Sequence, residues 1–145
     1  MKQKIWKIFL LLPPLAALVL EILPYGAVLI FGEPAEDGTI ERIQYLTSYF
    51  DPLNLGYANF GPPLTAFLTC VLLLCGFALL TTDRAALPHL LISVFACAAS
   101  LSPLLYGIDF YSTVGAIISV LFGAEIVLTI LYRRFFSDKA KERYV

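Results

Sequence analysis

Four long apolar stretches, separated by short polar segments, dominate the pattern of the chain. Each helical residue advances about 1.5 Å, so about 20 mostly apolar residues cross the hydrocarbon core of a bilayer. Backbone polar groups cannot be left without partners in hydrocarbon, so apolar runs of this length are predicted to be helices rather than strands. The pattern predicts an all-α fold: an antiparallel four-helix bundle integral to the membrane, one domain over residues 1–145, with spans at 8–31, 64–82, 90–106 and 113–132 and one long outer loop at 32–63.

The composition indicates that lipid surrounds most of the chain. Its 145 residues are 59% hydrophobic and 14% charged, with a mean hydropathy of +0.82. Soluble domains average about 45–50% apolar residues, glycine included, and about 25% charged residues. This surplus of apolar residues excludes a disordered chain, a nucleic-acid-binding module and a small disulfide scaffold. The lipid bilayer is therefore the first predicted partner, and no nucleic acid is expected.

The basic residues are distributed unequally between the two predicted sides of the membrane. Nine of the ten lysines and arginines fall on one side, and only Arg42 falls on the other. Because basic residues concentrate in cytoplasmic segments, both termini are predicted to be cytoplasmic, in the cell membrane. The opposite side carries six acidic residues against Arg42, a formal charge of −5. The first apolar run also resembles a secretory signal, but an uncleaved anchor is expected because no small-residue cleavage pattern follows promptly.

The outer loop is the only segment outside the predicted spans that is large enough to hold structure of its own. Apolar residues recur in this loop at steps of three and four, which favours a short helix with Thr39 as its N-cap. Such a helix would lie along the membrane surface on one apolar face: Ile40, Ile43, Leu46 and Phe50. A strand is the competing interpretation, because the same run contains alternating β-forming residues: Ile43, Tyr45, Thr47 and Tyr49. We favour the helix.

The end of the outer loop combines aromatic, polar, glycine and proline residues. It is interpreted as an ordered segment over the outer mouth of the bundle, with an irregular linker as the alternative. Its runs Tyr49-Phe50-Asp51-Pro52 and Gly56-Tyr57-Ala58-Asn59-Phe60-Gly61-Pro62, with Gly107-Ile108-Asp109, resemble small four-pass membrane proteins of Gram-positive bacteria. That family has no known activity, so the resemblance implies a fold and no function. The candidates for binding another membrane protein are Asp51, Tyr57, Asn59 and Asp109.

Two glutamates interrupt the apolar spans, Glu21 in the first and Glu125 in the fourth. A charge at this depth costs at least about 2.5–3.5 kcal/mol, so such residues face the bundle interior and mark proton or ion paths. Antiparallel spans place the two at depths about 6 Å apart, from where they could face each other and share a proton. Because the predicted spans contain no basic residue, we expect at least one glutamate to be protonated at neutral pH. Structural hydrogen bonding near Pro24 is the alternative to a proton or ion site.

Small residues recur every four positions on the fourth span, at Gly115, Ser119 and Gly123. Such a row allows another helix to approach closely, either within the chain or in a homo-oligomer or partner complex. His89, at the cytoplasmic end of the third predicted span, is expected to be solvated. The sequence contains no glycine-rich phosphate loop, metal-ligand cluster or serine triad pattern, so no cofactor, metal or enzymatic activity is expected.

Two functions remain compatible with these patterns. We favour a non-enzymatic accessory or interaction protein whose acidic, aromatic outer loop meets a partner. The alternative is a small proton- or cation-coupled carrier that uses Glu21 and Glu125. The sequence leaves the substrate, the partner and the oligomeric number open.

Overall fold

A computed structural model of the chain describes residues 2–35, 38–56 and 59–137. The α-helices within these residues are α1 (Lys2–Phe9), α2 (Leu12–Ile22), α3 (Leu53–Gly56), α4 (Gly61–Thr81), α5 (Ala86–Leu101) and α6 (Thr113–Tyr132). The strands are β1 (Ala27–Pro34) and β2 (Ile40–Thr47). Short 3-10 turns lie at Asp83–Ala85, Ser102–Leu105 and Ile108–Phe110, and a π-helical turn, Arg133–Ser137, follows α6.

Four helical segments of the described chain are long and apolar enough to cross a membrane: Gln3–Ile22, Gly61–Thr81, Asp83–Leu105 and Thr113–Phe136. The prediction of a mainly helical chain with four potential spans is therefore confirmed. The outward faces of these helices are apolar, with Leu74, Phe95 and Val120 each 64–70% exposed. The all-α class is wrong, because β1 and β2 form an antiparallel hairpin.

The first potential span lies earlier in the chain than predicted. α1 and α2 follow each other across Leu10 and Leu11, and Pro13 stands in the first turn of α2, where a missing N–H is tolerated. The helix ends at Ile22 because Leu23 precedes Pro24 and is extended, with φ −67° and ψ 144°. The predicted end of this span at residue 31 is therefore wrong: residues 27–31 belong to β1.

The hairpin replaces the surface helix predicted for the outer loop. β1 and β2 pair in a continuous register from Ala27 opposite Thr47 to Pro34 opposite Ile40, so the competing strand interpretation is the one that the structure confirms. β-propensity depends on the available partner, and that partner is β1, of which the span prediction had assigned residues 27–31 to a helix. Gly38, with φ 82°, adopts the left-handed conformation in the connection between the strands.

The bundle has two distinguishable ends. The hairpin end carries β1, β2 and the segment 102–112, and an isolated bridge between Ala27 and Tyr111 ties the base of the hairpin to this segment. The basic end carries the residues Lys7, Arg84, Arg133 and Arg134. Buried residues form one large cluster in the middle of the bundle and a smaller one toward the basic end, around Leu10, Leu79 and Tyr132.

Candidate functional site

Glu125 lies near the middle of the fourth potential span and contacts His89. It is the thirteenth of 24 residues in Thr113–Phe136. Its Oε1 lies 2.5 Å from Nε2 of His89, and both side chains are 0% exposed. The same oxygen accepts a hydrogen bond from Thr129 Oγ1 at 3.2 Å. A short hydrogen bond between a carboxyl group and an imidazole is therefore enclosed between α5 and α6.

The expectation that His89 is solvated is wrong. α5 begins at Ala86, four residues before the predicted span, which places His89 in its first turn on the inward face. Gly76 on α4 faces the ring at van der Waals distance, since a Cβ atom there would lie 3.5 Å from Cε1 of His89, and it would lie only 2.5 Å from Cδ2 of Leu11. The sequence did contain a signal, because small and polar residues continue from His89 at steps of four, three and four on the buried face of α5: Ser93, Ala96 and Ser100.

Glu21 is the second-to-last residue of α2 and is also 0% exposed. Its Oε1 lies 2.6 Å from Oγ1 of Thr69, and the same hydroxyl lies 2.9 Å from the carbonyl oxygen of Thr65. One hydroxyl proton cannot be donated fully to two acceptors. Both contacts are hydrogen bonds when the Glu21 carboxyl group carries a proton and donates it to Thr69.

The two carboxyl groups do not contact each other, so the condition under which they could share a proton is not met. In each of Glu21 and Glu125, Oε2 has no hydrogen-bond partner among the described residues, and Oε1 contacts other side chains. Leu72 lies one turn from Thr69 toward the basic end, Phe122 lies one turn from Glu125 toward the hairpin end, and both are fully buried in one apolar cluster. An apolar layer therefore separates two buried polar sites.

Tyr49 covers the Glu21 site at the hairpin end. Its backbone N–H donates to the carbonyl of Glu21 at 3.0 Å, and its side chain is buried. Two glycines make room for the ring: a Cβ atom at Gly26 would lie 2.9 Å from Cδ1 of Tyr49, and one at Gly115 would lie 3.2 Å from its hydroxyl. Burial raises the pKa of the Tyr49 hydroxyl above its ordinary value, and negative charge on Glu21 or Tyr111 would raise it further. The site is thus closed by a neutral phenol.

The three small residues of the predicted row on α6 do not all pack against other parts of the chain. Gly115 packs against Tyr49, and Ser119 Oγ lies 2.8 Å from Ser100 Oγ on α5 and 2.6 Å from the hydroxyl of Tyr111. A Cβ atom at Gly123, in contrast, would meet no atom of the described residues within 4 Å. The first two positions therefore pack within the chain, while the third faces open space.

The polar candidates of the outer loop do not form a single site. Asp51 Oδ1 accepts a hydrogen bond from the backbone of Leu53 at 2.9 Å at the start of α3, and buried Asn59 donates to the carbonyl of Val28 at 3.4 Å. Asp109 is exposed and lines a cleft of about 450 Å³ between the hairpin and the segment before α6. Tyr57 lies outside the described residues.

A polar network at the basic end joins three helical segments. Asp83, in the turn after α4, accepts hydrogen bonds from Tyr132 at 2.6 Å and Gln3 at 3.1 Å and forms an ion pair with Lys7 at 2.9 Å. The sequence indicated only that these residues lie near the membrane edge. Lys7 is 8% exposed, so its ion pair with Asp83 is partly enclosed by the bundle.

The described residues bring no three His, Cys, Asp or Glu side chains together as a metal site. No family model, curated protein or solved structure matches this chain.

Proposed function

We propose that this chain is a small, non-enzymatic protein of the cell membrane that binds a partner protein at its hairpin end, with both of its own termini in the cytoplasm. The single observation that carries the proposal is the free edge of β2. Every residue of this strand except Thr47 is exposed or half-buried. A two-stranded ribbon is marginally stable by itself, and an unpaired edge strand is a template for another strand.

The register identifies which backbone groups are free along that edge. The N–H of Ala35 donates to the carbonyl of Thr39 at 2.8 Å. Because hydrogen-bonded and non-bonded pairs alternate in an antiparallel ladder, every second N–H of β2 points away from β1: those of Ile40, Arg42, Gln44 and Leu46. These four groups are available to an added strand. Pro34 has no N–H, but it lies at a non-bonded position of the ladder, so no hydrogen bond between β1 and β2 is lost there.

The charge of the hairpin selects the partner that we propose. Glu33 and Glu41 are directly opposite each other and exposed, and the connection between the strands adds Glu36 and Asp37 in sequence. Like charges in directly opposed positions destabilise a ribbon. An extended, basic segment of a second protein would complete the sheet through backbone hydrogen bonds and offset this repulsion.

The test places a photo-crosslinking residue at Ile40, which is 76% exposed at the free edge, and a matched control at Leu105, which is 88% exposed at the same end of the bundle. In native membranes, we expect one discrete adduct from Ile40 and none from Leu105. Arg42→Pro should abolish the adduct because it removes an outward N–H without removing a β1–β2 hydrogen bond. Arg42→Ala, which keeps that N–H, should retain it.

Reversal of the acidic charge supplies a second measurement. Glu33→Lys with Glu41→Lys should weaken the adduct, and raising the salt concentration should weaken it in the unchanged protein. Equal adducts from Ile40 and Leu105, or an adduct that survives Arg42→Pro unchanged, would contradict partner binding by strand addition.

A second candidate, a proton-coupled carrier, is favoured by one specific observation. Glu125, near the middle of its potential span, forms a fully buried pair with His89 in the first turn of α5. Nδ1 of His89 and Oε2 of Glu125 have no partner among the described residues. These two atoms are free to accept or release a proton or to contact a cation. The apolar layer around Leu72 and Phe122 would act as the barrier between this site and Glu21.

Reconstitution into liposomes that contain a pH-sensitive dye tests the carrier. Proton uptake by the unchanged protein that is abolished by Glu125→Gln, while Thr129→Val leaves much of it, is the expected result. An unchanged rate in Glu125→Gln, or no uptake above that of empty liposomes under an imposed pH gradient and voltage, would exclude this candidate.

A further inference from the structure

A cleft opens at the basic end of the bundle, between the first turns of α5 and the last turn of α6. It has a volume of about 380 Å³ and is lined by Leu90, Ile130, Arg133 and Arg134. Pockets that bind small molecules have volumes of about 300 Å³ or more, so the cleft is large enough to hold the head group of a lipid. It lies on the opposite end of the molecule from the hairpin and is independent of the partner binding proposed above.

The lining changes from apolar to cationic along the helix axis. Ile130, on the last turn of α6, is 48% exposed, and Leu90, on the second turn of α5, is half-buried. The two arginines follow directly at the helix end, where a span that crosses a bilayer would reach the head-group region. A molecule that fits this order has an anionic group beside the arginines and hydrocarbon beside Leu90 and Ile130.

The backbone holds both arginines at the same cleft. α6 passes into a π-helical turn, Arg133–Ser137, which winds more slowly than an α-helix. Consecutive side chains therefore diverge less than they would on an α-helix, which accounts for two adjacent residues lining one cleft.

The positive charge of the cleft is not neutralised within the described chain. Ion pairs among the described residues join Lys7 to Asp83 and His89 to Glu125, and neither involves Arg133 or Arg134. From Arg133 to its end, the sequence contains five basic and two acidic residues. Guanidinium groups form paired hydrogen bonds with phosphate oxygens, a geometry that a lysine ammonium group does not reproduce.

We infer that the cleft between α5 and α6 binds an anionic phospholipid, whose phosphate accepts hydrogen bonds from Arg133 and Arg134 and whose acyl chain lies along Leu90 and Ile130. Basic pockets between spanning helices recognise anionic head groups in this way. The lipid would fix the end of α6 at the depth of the head groups and would cover the exposed side of Ile130.

Native mass spectrometry of the full chain measures this directly, after equilibration with equal amounts of phosphatidylglycerol and phosphatidylcholine. The unchanged protein should retain phosphatidylglycerol preferentially. Arg133→Gln with Arg134→Gln should lower that preference on the order of tenfold or more, at about 1 kcal/mol for each basic residue. Arg133→Lys with Arg134→Lys should recover only part of it, since the charge returns without the paired hydrogen bonds.

Arg84→Gln is the matched control, because Arg84 is an exposed arginine at the same end that does not line the cleft. It should retain the full preference, and Ile130→Ser should lower retention. An equal loss in Arg84→Gln and in the double glutamine variant would show diffuse attraction and overturn the site, as would an unchanged preference in the double variant. Displacement of the lipid by glycerol phosphate at equal concentration would show a free-phosphate site instead.

Discussion

Glu21 and Glu125 have the same side chain and the same complete burial, yet their partners differ in kind. Glu125 contacts an imidazole that can carry a charge, whereas Glu21 contacts the hydroxyl of Thr69. Glu125 also lies between two helices of the bundle interior, while Glu21 lies beneath the hairpin and Tyr49. The chemistry of a buried carboxyl group is thus decided by the residue that a neighbouring helix places opposite it, and depth in the membrane does not decide it.

The largest expected difference between the two sites is the effect of removing one partner. His89→Leu leaves Glu125 buried with Thr129 as its only described hydrogen-bond partner. Breaking a buried ion pair from one side costs about 3–5 kcal/mol, whereas replacing both members with apolar residues of similar volume is often neutral or stabilising. We therefore expect His89→Leu and Glu125→Leu each to lower the free energy of unfolding strongly, and the double variant to recover most of the loss. Thermal unfolding in detergent, as a double-mutant cycle, measures this coupling.

If the losses of the two single variants simply add in the double variant, the 2.5 Å contact between His89 and Glu125 is not an energetic pair. The expected energetic difference between the Glu125 site and the Glu21 site would then not hold. Ser93→Ala provides the control on the same helix. Among the described residues the Ser93 hydroxyl donates only to the carbonyl of His89, so the loss should be small.

Periodicity and length were enough to predict the four potential spans, because crossing hydrocarbon imposes one requirement on every helix. The same reasoning failed at residues 27–31, which are as apolar as a span but form β1. Their state is decided by Pro24, which ends the preceding helix, and by pairing with β2 some 15 residues later. A hydropathy pattern contains no information about such a partner.

The candidate site was predicted only in part for a related reason. Glu21 and Glu125 stand out because charges are rare in apolar runs. His89 does not, because the third span was predicted to begin only at residue 90, whereas α5 begins at Ala86 and tolerates Pro88 in its first turn. Thr69 could not be identified from sequence at all, since its role depends on the rotation of α4 relative to α2.

At the Glu21 site, the expected loss is smaller. Thr69→Val removes the hydroxyl and leaves the carboxyl group buried without this partner, which should cost about 1–3 kcal/mol. Thr69→Ser keeps the hydroxyl and should be nearly neutral, and Glu21→Gln should also be mild because an amide can still donate to Thr69. The thermal unfolding midpoints of the three variants measure these differences in stability. A loss in Glu21→Gln as large as that in His89→Leu would show that Glu21 acts as a buried ion after all.

Tyr49, which covers the Glu21 site at the hairpin end, should make the free energy of unfolding depend on pH. Burial raises the folded pKa of Tyr49 above the value of about 10 that a tyrosine has in an unfolded chain. Below pH 10 both states keep the proton, so Tyr49 adds no slope. Above it the unfolded chain releases the proton first, and the free energy of unfolding should fall by up to about 1.4 kcal/mol per pH unit. Tyr49→Phe should flatten this slope, whereas Tyr45→Phe, at a tyrosine that is 58% exposed, should leave it unchanged.

The smallest effects distinguish the two ends of the row of small residues on α6. Alanine is favoured over glycine inside a helix by about 1 kcal/mol. At Gly123 a methyl group meets nothing within 4 Å, so Gly123→Ala should raise the unfolding midpoint. At Gly115 the methyl group would lie 3.2 Å from both Ser112 Oγ and the Tyr49 hydroxyl, so the gain should be cancelled or reversed.

Sedimentation in detergent adds the decisive measurement for Gly123. Since no described residue lies close to this position, a loss of stability in Gly123→Ala has no origin among the described residues of a single copy. Such a loss, accompanied by a decrease in the oligomeric fraction, would show that a second helix covers this face, as small residues at helix interfaces in membranes allow. A stabilised variant of unchanged mass would restrict close packing on α6 to its hairpin end, where Gly115 and Ser119 already contact Tyr49, Tyr111 and Ser100.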